Sequence, residues 1–343
     1  MLRRWFWGIL VFGVLFPRGS KAAAETEDHF FAISYGRTRA MGMAGAFAAV
    51  PGGMEAVFFN PATLQLTDLN RGFRLTLFVN PLASAALYNL YTNQENSRLS
   101  RGQWWNVVRV FPKALFFSTP ILEAGFVNQE ELETREAYHP HKKFFEPQYF
   151  FQHHFETAVL RVKLAEQVAV GVTFSYYSYP EGDSVQQGFG ASYGVFIRPS
   201  PKVGVGIMFM DLPTQMRDLR LFWDRFEGQT VNAGIAFHPF SLTTLSLDVR
   251  NLTEDNLANT REVHVGIEQG IWRHLYLRTG YFQDSRLPRR FFTAGFGLLN
   301  LGFAADGRRK FSVPVLALNY AIQIETGTSR TVRRHFLSFN WAF

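Results

Sequence analysis

Cysteine is absent from the 343 residues. That excludes disulfides, thiolate metal sites, a cysteine nucleophile and a lipid anchor on an N-terminal cysteine. Long apolar runs are scarce as well. The run from Trp5 to Phe16 has twelve residues, too few to cross a bilayer as a helix, and no later window is longer. No phosphate-cradling glycine loop or dinucleotide fingerprint follows a strand and opens a helix. An excess of one charge is nearly missing too. Four of the 35 Lys and Arg, and none of the 28 Asp and Glu, lie in residues 1–24, so the net charge of +7 falls to about +3 beyond them. A basic surface that binds nucleic acid is therefore poorly supported, and none is expected as a partner.

What is present begins with an export pattern. Arg3 and Arg4 precede the apolar run, and Ala22-Ala23-Ala24 offers a small-residue cleavage site before Glu25. Residues 1–24 read as a secretory signal. Over the whole chain 47% of the residues are apolar and 36 are Phe, yet no membrane-helix run follows. A membrane β-barrel reconciles these facts, because only alternate residues of each strand face lipid.

The alternation is explicit. Phe73, Leu75, Leu77 and Val79 oppose Arg74 and Thr76; Val168, Val170, Val172 and Phe174 oppose Ala169, Gly171 and Thr173. Leu245, Leu247 and Val249 oppose Ser246, Asp248 and Arg250, and Val263, Val265 and Ile267 oppose Glu262, His264 and Glu268. Leu316, Leu318, Tyr320, Ile322 and Ile324 oppose Asn319, Gln323 and Glu325. A soluble sandwich turns the apolar rows inward and a membrane barrel turns the charges inward; alternation alone does not choose. Connections help. Short turns at Leu164 to Gln167, Pro199 to Pro201, His238 to Ser241 and Gly270 to Trp272 alternate with longer links. These are Pro180 to Gln187, Asp211 to Gly228, Asn251 to Thr260 and Gln283 to Arg289. That pattern suits a barrel with tight turns at one end and long loops at the other. Eleven strands from Phe151 onward and three before it give an expected fourteen over residues 71–343. Leu82 to Tyr91 reads as an amphipathic helix, two strands are expected between Gln103 and Asn128, and Glu130, Glu131, Glu133 and Glu136 as a solvated acidic loop.

One stretch differs from all of this. Gly36 to Val50 is built from Gly, Ala and Met with Arg37 and Arg39, a composition for close backbone packing inside something larger. It leads to Phe58-Phe59-Asn60-Pro61-Ala62, where Pro61 pushes Asn60 out of the helical region and the Asn side chain is able to bond nearby backbone. A fixed corner is expected there. Gly36, Arg39, Gly42, Met43, Gly45, Ala46, Asn60, Pro61, Ala62 and Leu64 resemble the N-terminal signature of the FadL-like outer-membrane barrels. That superfamily includes long-chain fatty acid and aromatic hydrocarbon channels and PorV-type proteins. Ala44 replaces a glycine of that pattern, Gly52-Gly53 stand where acids are usual, and Thr63 replaces the last glycine. The resemblance implies an all-β transmembrane antiparallel barrel of about 14 strands, with residues 25–70 inside the lumen as a plug. The chain also ends with Phe339, Trp341 and Phe343 on one face, which resembles the recognition signal of the outer-membrane barrel assembly machinery.

Chemistry has few candidates. His139, His141, His153 and His154 cluster in sequence, but lack carboxylates at fixed ligand spacing, so no metal or cofactor is expected. His264 is the one histidine placed inward on the regular strands, with no serine level with it, and no catalysis is expected. The inward charges Arg74, Arg161, Lys163, Asp248, Arg250, Glu262, Glu268, Arg278 and Glu325 mix both signs and must be paired or hydrated. Either Arg37 and Arg39 bond wall carboxylates and hold the plug, or the wall charges pair among themselves. The resemblance implies passive uptake of a fatty-acid-like hydrophobic or amphipathic molecule across the bacterial outer membrane. The alternative is a PorV-like docking or shuttle component with a secreted protein as partner, for which Trp104 to Tyr149 would supply a surface.

Overall fold

The structure is a computed structural model and describes residues 28–33, 36–66, 73–95, 99–137, 150–181, 184–211, 229–253, 261–272, 274–283, 289–299, 316–327 and 331–343. The export pattern of residues 1–24 lies outside them, as do His139 and His141. The strands are β1 (Asp28–Ile33), β2 (Arg74–Val79), β3 (Pro112–Ser118), β4 (Leu122–Ala137), β5 (Phe150–Ala165), β6 (Val168–Glu181), β7 (Ser184–Ser200) and β8 (Val203–Asp211). They continue with β9 (Gln229–Phe237), β10 (Thr243–Arg250), β11 (Glu262–Gly270), β12 (Leu275–Gln283), β13 (Arg290–Leu299), β14 (Leu316–Thr326) and β15 (Val332–Ala342). Strands β2 to β15 pair in sequence order, and β15 closes on β2 through Trp341 with Val79 and Ala342 with Phe78. The result is a closed barrel of fourteen antiparallel strands, with the expected eleven from β5 onward.

Its polarity is inverted. The outward rows are exposed and apolar, among them Phe174, Phe189, Ile207, Ile235, Leu247 and Val263. The inward rows carry buried charge: Asp248, Arg250, His264, Arg278 and Arg334 each have 1% of their surface exposed. In water this arrangement would expose hydrocarbon and desolvate ions at once. In a bilayer both costs vanish, because lipid meets the outer rows and the lumen can pair the ions. A membrane-spanning barrel is the fold these faces require.

The wall has one irregular sector. β2 and β3 are short, six and seven residues, and occupy only the end where tight turns join β5 to β6 and β7 to β8, here called the turn end. Toward the opposite, loop end, β1 takes their place, parallel to β15 (Asp28 with Val332 through Ile33 with Leu337) and antiparallel to β4 (Asp28 with Ala137 through Ile33 with Leu132). It follows the wall's alternation. Ala32 turns inward onto Met41, Ala321 and Phe336, while Phe31 stacks on His335 at 4.3 Å. The start of the stretch expected to fill the lumen is thus a wall strand, because two orphan strand edges, on β15 and β4, bind backbone better than a lumen does.

Other expectations shift. Between β2 and β3 run two helices, α3 (Pro81–Glu95) and α4 (Arg101–Arg109). The second replaces the expected start of a strand at Gln103. A capping box accounts for it: Ser100 Oγ accepts the Gln103 N–H at 3.2 Å, and Gln103 Oε1 accepts the Ser100 N–H at 2.8 Å. The acidic run is part of β4, its Glu130 and Glu131 in register with His154 and His153 of β5, so it is strand where a loop was expected. Pro180 to Gln187 is mostly ladder as well, since β6 and β7 pair as far as Glu181 with Ser184.

Because Leu247 faces outward and its neighbour Ser246 is buried in the lumen, the two positions should respond oppositely to charge. Leu247→Arg is expected to lower folding stability in lipid vesicles by about 2–4 kcal/mol. Ser246→Ala should change it by under about 1 kcal/mol. Denaturant titration of both variants checks this.

Candidate functional site

Residues 36–66 run inside the barrel and are almost wholly buried. Short helical turns, α1 (Thr38–Met41) and α2 (Ala56–Phe59), and a 3-10 turn (Pro61–Thr63) give the segment its shape. Gly52 and Leu64 bridge to fold it back on itself, with Gln65 N–H donating to the Gly52 carbonyl at 2.9 Å. The corner at Asn60 is as the sequence suggests. Its backbone is extended (φ −157°, ψ 106°), its Oδ1 accepts the Ala62 N–H at 3.0 Å, and its Nδ2 donates to the Ala48 carbonyl at 2.8 Å. Pro61 and Ala62 complete the 3-10 turn.

So little of this segment is regular that much of its backbone polarity needs partners from elsewhere, and the wall supplies them. Asp248 on β10 accepts the N–H groups of Phe47 (2.7 Å) and Ala48 (2.8 Å) with one oxygen. Arg250 donates to the Gly45 carbonyl at 2.6 Å, His264 Nδ1 to Ala44 at 2.6 Å, Thr293 to Gly42 at 3.1 Å, and Arg161 to Ala62 at 3.2 Å. Glu123 accepts the Leu66 N–H at 2.9 Å. Five strands, β4, β5, β10, β11 and β13, therefore hold one segment.

The charged centre is Glu268 on β11. Arg39 grips it with two bonds, Nε to Oε2 at 2.9 Å and Nη2 to Oε1 at 2.7 Å, and Arg278 adds Nε to Oε2 at 2.6 Å. Arg39 also reaches Glu55 of the inner segment at 2.9 Å, and Arg278 reaches Asn319 at 2.9 Å. Glu55 thus supplies, two positions on, an acid of the kind missing at Gly52-Gly53. Of the two expected arginines only Arg39 forms the bidentate grip; Arg37 lies over the Phe58 ring at 5.9 Å. Wall-to-wall pairs exist beside it: Glu325 with Arg334 at 2.7 Å and Arg289 at 3.2 Å, and Arg161 with Glu123 at 2.9 Å. Arg39 thus meets a wall carboxylate in one sector, while wall charges pair among themselves in others. Arg74 lies at the turn end on short β2, in the inward row.

Close approach is made possible by wall glycines that the sequence reading did not single out. Gly171 and Gly194 are register partners, as are Gly206 with Gly234 and Gly266 with Gly280. A Cβ on Gly206 would overlap the Ala48 carbonyl oxygen, and one on Gly266 would lie 2.6 Å from that of Met43. The recurrence of glycine at inward positions of consecutive strands is the signal that could have revealed them. Inside the segment, Gly45 has φ 73°, a conformation for which glycine is suited, while Ala44 holds φ 55° without that freedom.

Nδ1 of His264 is engaged by Ala44, and Nε2 faces Glu262 at 3.2 Å, so the ring braces the segment, and its face stacks on Phe282 at 4.4 Å. In the turn after β9, His238 is held below its ordinary value first by burial and then by the Arg198 and Arg39 charges. Among the described residues no group of three or more His, Asp and Glu is placed to hold a metal ion. Phe339 belongs to the outward row of β15, and Trp341 and Phe343 are exposed there with rings 5.0 Å apart.

No family model matches the chain, and no curated protein does. Among solved structures, the toluene transporter TodX of P. putida aligns over 90% of this chain and 96% of its own, at 10% sequence identity and a TM-score of 0.44.

Two variants probe the grip. Arg39→Ala leaves Glu268 with Arg278 alone and Glu55 without its guanidinium, and is expected to cost about 3 kcal/mol and raise single-channel conductance. Arg39→Lys should fall between it and the wild type, and unchanged conductance in both would remove the latch role. Separately, Ala44→Gly relieves the left-handed backbone and is expected to stabilise the barrel by about 1 kcal/mol in a denaturant titration.

Proposed function

We infer that the chain is a passive channel of the bacterial outer membrane for hydrophobic or amphipathic small molecules of fatty-acid type, with residues 36–66 acting as its plug. The observation that carries this is the way the inner segment is held. Side chains of the wall bond its backbone, and Arg39 ties it to Glu268. Ion pairs of this kind hold position without adding much net stability, since desolvation offsets their attraction. A segment so held can shift when a ligand and water compensate the charges, although the shift must also break apolar contact with the wall, where Met54, Val57, Leu64 and Leu66 pack with Phe78, Phe116, Val127 and Val159. The ligand enters among the loops at the external end, rests against apolar side chains, and passes as the plug moves toward release.

The same reading assigns the outward rows to lipid and the terminal Phe339, Trp341 and Phe343 to recognition by the barrel assembly machinery after export. A docking role in protein secretion is less well supported. The stretch that would have offered its surface is helix α4 and wall strands through residue 137.

Expression in a Gram-negative host stripped of its own long-chain fatty-acid channel tests the inference. Uptake of radiolabelled oleate is expected to rise several-fold over the empty vector. Uptake at the vector level, with the heat-modifiable barrel present in the outer membrane, would overturn it, and co-purification of a secreted protein instead would favour the docking role.

A further inference from the structure

Helices α3 and α4 interrupt the wall partway up. They begin at the top of the short β2–β3 hairpin, where Val79 pairs with Trp341, just before β1 takes over with Ile33 beside Leu337. Six residues of β2, at about 3.3 Å each and a tilt of about 40°, lift the chain about 15 Å from the turn end, within an apolar band about 25 Å tall. The helices therefore leave the wall at the depth of hydrocarbon.

They leave on its outer side. Phe126 of β4 is exposed and Val127 is buried against the inner segment, so the alternation turns Asn128 outward. Its Nδ2 donates to the Arg109 carbonyl at the end of α4 at 3.2 Å, and α3 lies against β15. On β2 the outward row runs Leu75, Leu77, Val79. The first two are exposed and Val79, level with the outward Trp341, is buried. The wall is covered where the helices begin.

Between them the helices bury Ala83, Leu87, Val107 and Val110. Polar groups find partners inside the pair, as hydrocarbon requires: Asn106 Nδ2 donates to the Tyr91 hydroxyl at 3.2 Å, and Asn80 Oδ1 accepts the Ala83 N–H at 3.1 Å. The opposite face exposes Tyr88, Trp104, Trp105, Val108 and Phe111. Charge is confined to the two ends. Residues 81–94 include none, Glu95, Arg98 and Arg101 fall together where α3 gives way to α4, and Arg109 stands at the foot.

We propose that the α3–α4 pair is immersed in the lipid of the leaflet nearer the loop end, with Val108 and Phe111 among acyl chains and the connection 95–101 at the head groups. A helix of 15 residues, about 22 Å long, reaches from mid-band to head-group depth when inclined. Trp104 and Trp105, close to the connection in sequence, then arrive at the interface that favours tryptophan. Asn89, the exposed polar residue of α3, lies in the half of that helix nearer the connection. Lipid is favoured over a protein partner by continuity, since the exposed face adjoins Leu75, Leu77, Leu115 and Phe117 of β2 and β3, an outward surface that already meets hydrocarbon. The proposal rests on the membrane position of the wall and is independent of what the channel carries.

Because the chain has no cysteine, single-cysteine variants carry a nitroxide spin label without background. Ala85→Cys and Val108→Cys probe exposed positions of α3 and α4, Arg101→Cys the connection, Leu247→Cys the lipid-facing wall and Glu166→Cys the exposed β5–β6 turn. The full chain, purified as the heat-modifiable barrel, is reconstituted in phosphatidylcholine–phosphatidylglycerol vesicles. Power saturation then compares collision with oxygen, which partitions into lipid, against collision with a water-soluble nickel chelate. The oxygen-to-nickel ratio at positions 85 and 108 is expected to match that at 247, several-fold above that at 166, with position 101 between. A ratio at 85 and 108 equal to that at 166 would put the pair in water, and low collision with both reagents would put it against protein, a second copy included. Either result overturns the proposal, and a ratio at 101 as high as at 108 overturns its orientation. The two main probes sit on different helices, so one variant that fails to fold leaves the other to decide.

Discussion

Ions enclosed by a wall whose other face meets hydrocarbon have only each other, and whatever else occupies the lumen, as partners. That constraint organises this structure. Glu268, placed inward by the alternation of β11, is satisfied by Arg278 of the neighbouring strand and by Arg39 of the inner segment. Among the described residues no basic side chain hydrogen-bonds Asp248; it accepts two backbone N–H groups from Phe47 and Ala48. The inner segment is consequently part of the electrostatic solution of the wall, and the wall is the backbone partner of the segment. Neither is complete without the other, since a buried carboxylate or amide left unpaired costs several kcal/mol.

Shape obeys the same mutual dependence. The wall glycines leave space where the segment's carbonyls press against it, and the Asn60 corner fills part of that space, Nδ2 reaching the Val195 carbonyl at 3.3 Å. Where the segment needs a left-handed residue it has glycine at Gly45 and an alanine at Ala44, the latter fixed by His264. Strain of this sort persists where surroundings over-determine the backbone. At the loop end the solution is different, because two short strands leave edges on β15 and β4. There β1 completes the wall and is continuous in the chain with the segment inside it.

Much of the fold was legible. Alternation at Leu245 to Arg250 and Val263 to Glu268 placed the charged row opposite the apolar row, and the fourteen-strand closure followed from turn spacing. The Asn60-Pro61 corner was legible because its cause is local: a proline restricts the residue before it, and an asparagine side chain reaches its own backbone. The helix at Arg101–Arg109 was legible in principle through Ser100 and Gln103, but Trp104, Trp105, Val107 and Val108 mimic strand composition. The acidic run was misread for the opposite reason. Its composition suggests solvent, and only pairing with β5 and β1 makes it strand.

The amino-acid order alone determined which side chains share a face, where the chain turns and that the inward face carries both charge signs, because these follow from a two-residue period and nearest-neighbour sterics. Which way the faces point, which carboxylate meets Arg39, which carbonyls lie against Gly206 and Gly266, and where β1 resides were decided only by tertiary structure. Each joins residues far apart in the chain, Arg39 and Glu268 by 229 positions, and only closure of the barrel around the inner segment brings them within bonding distance.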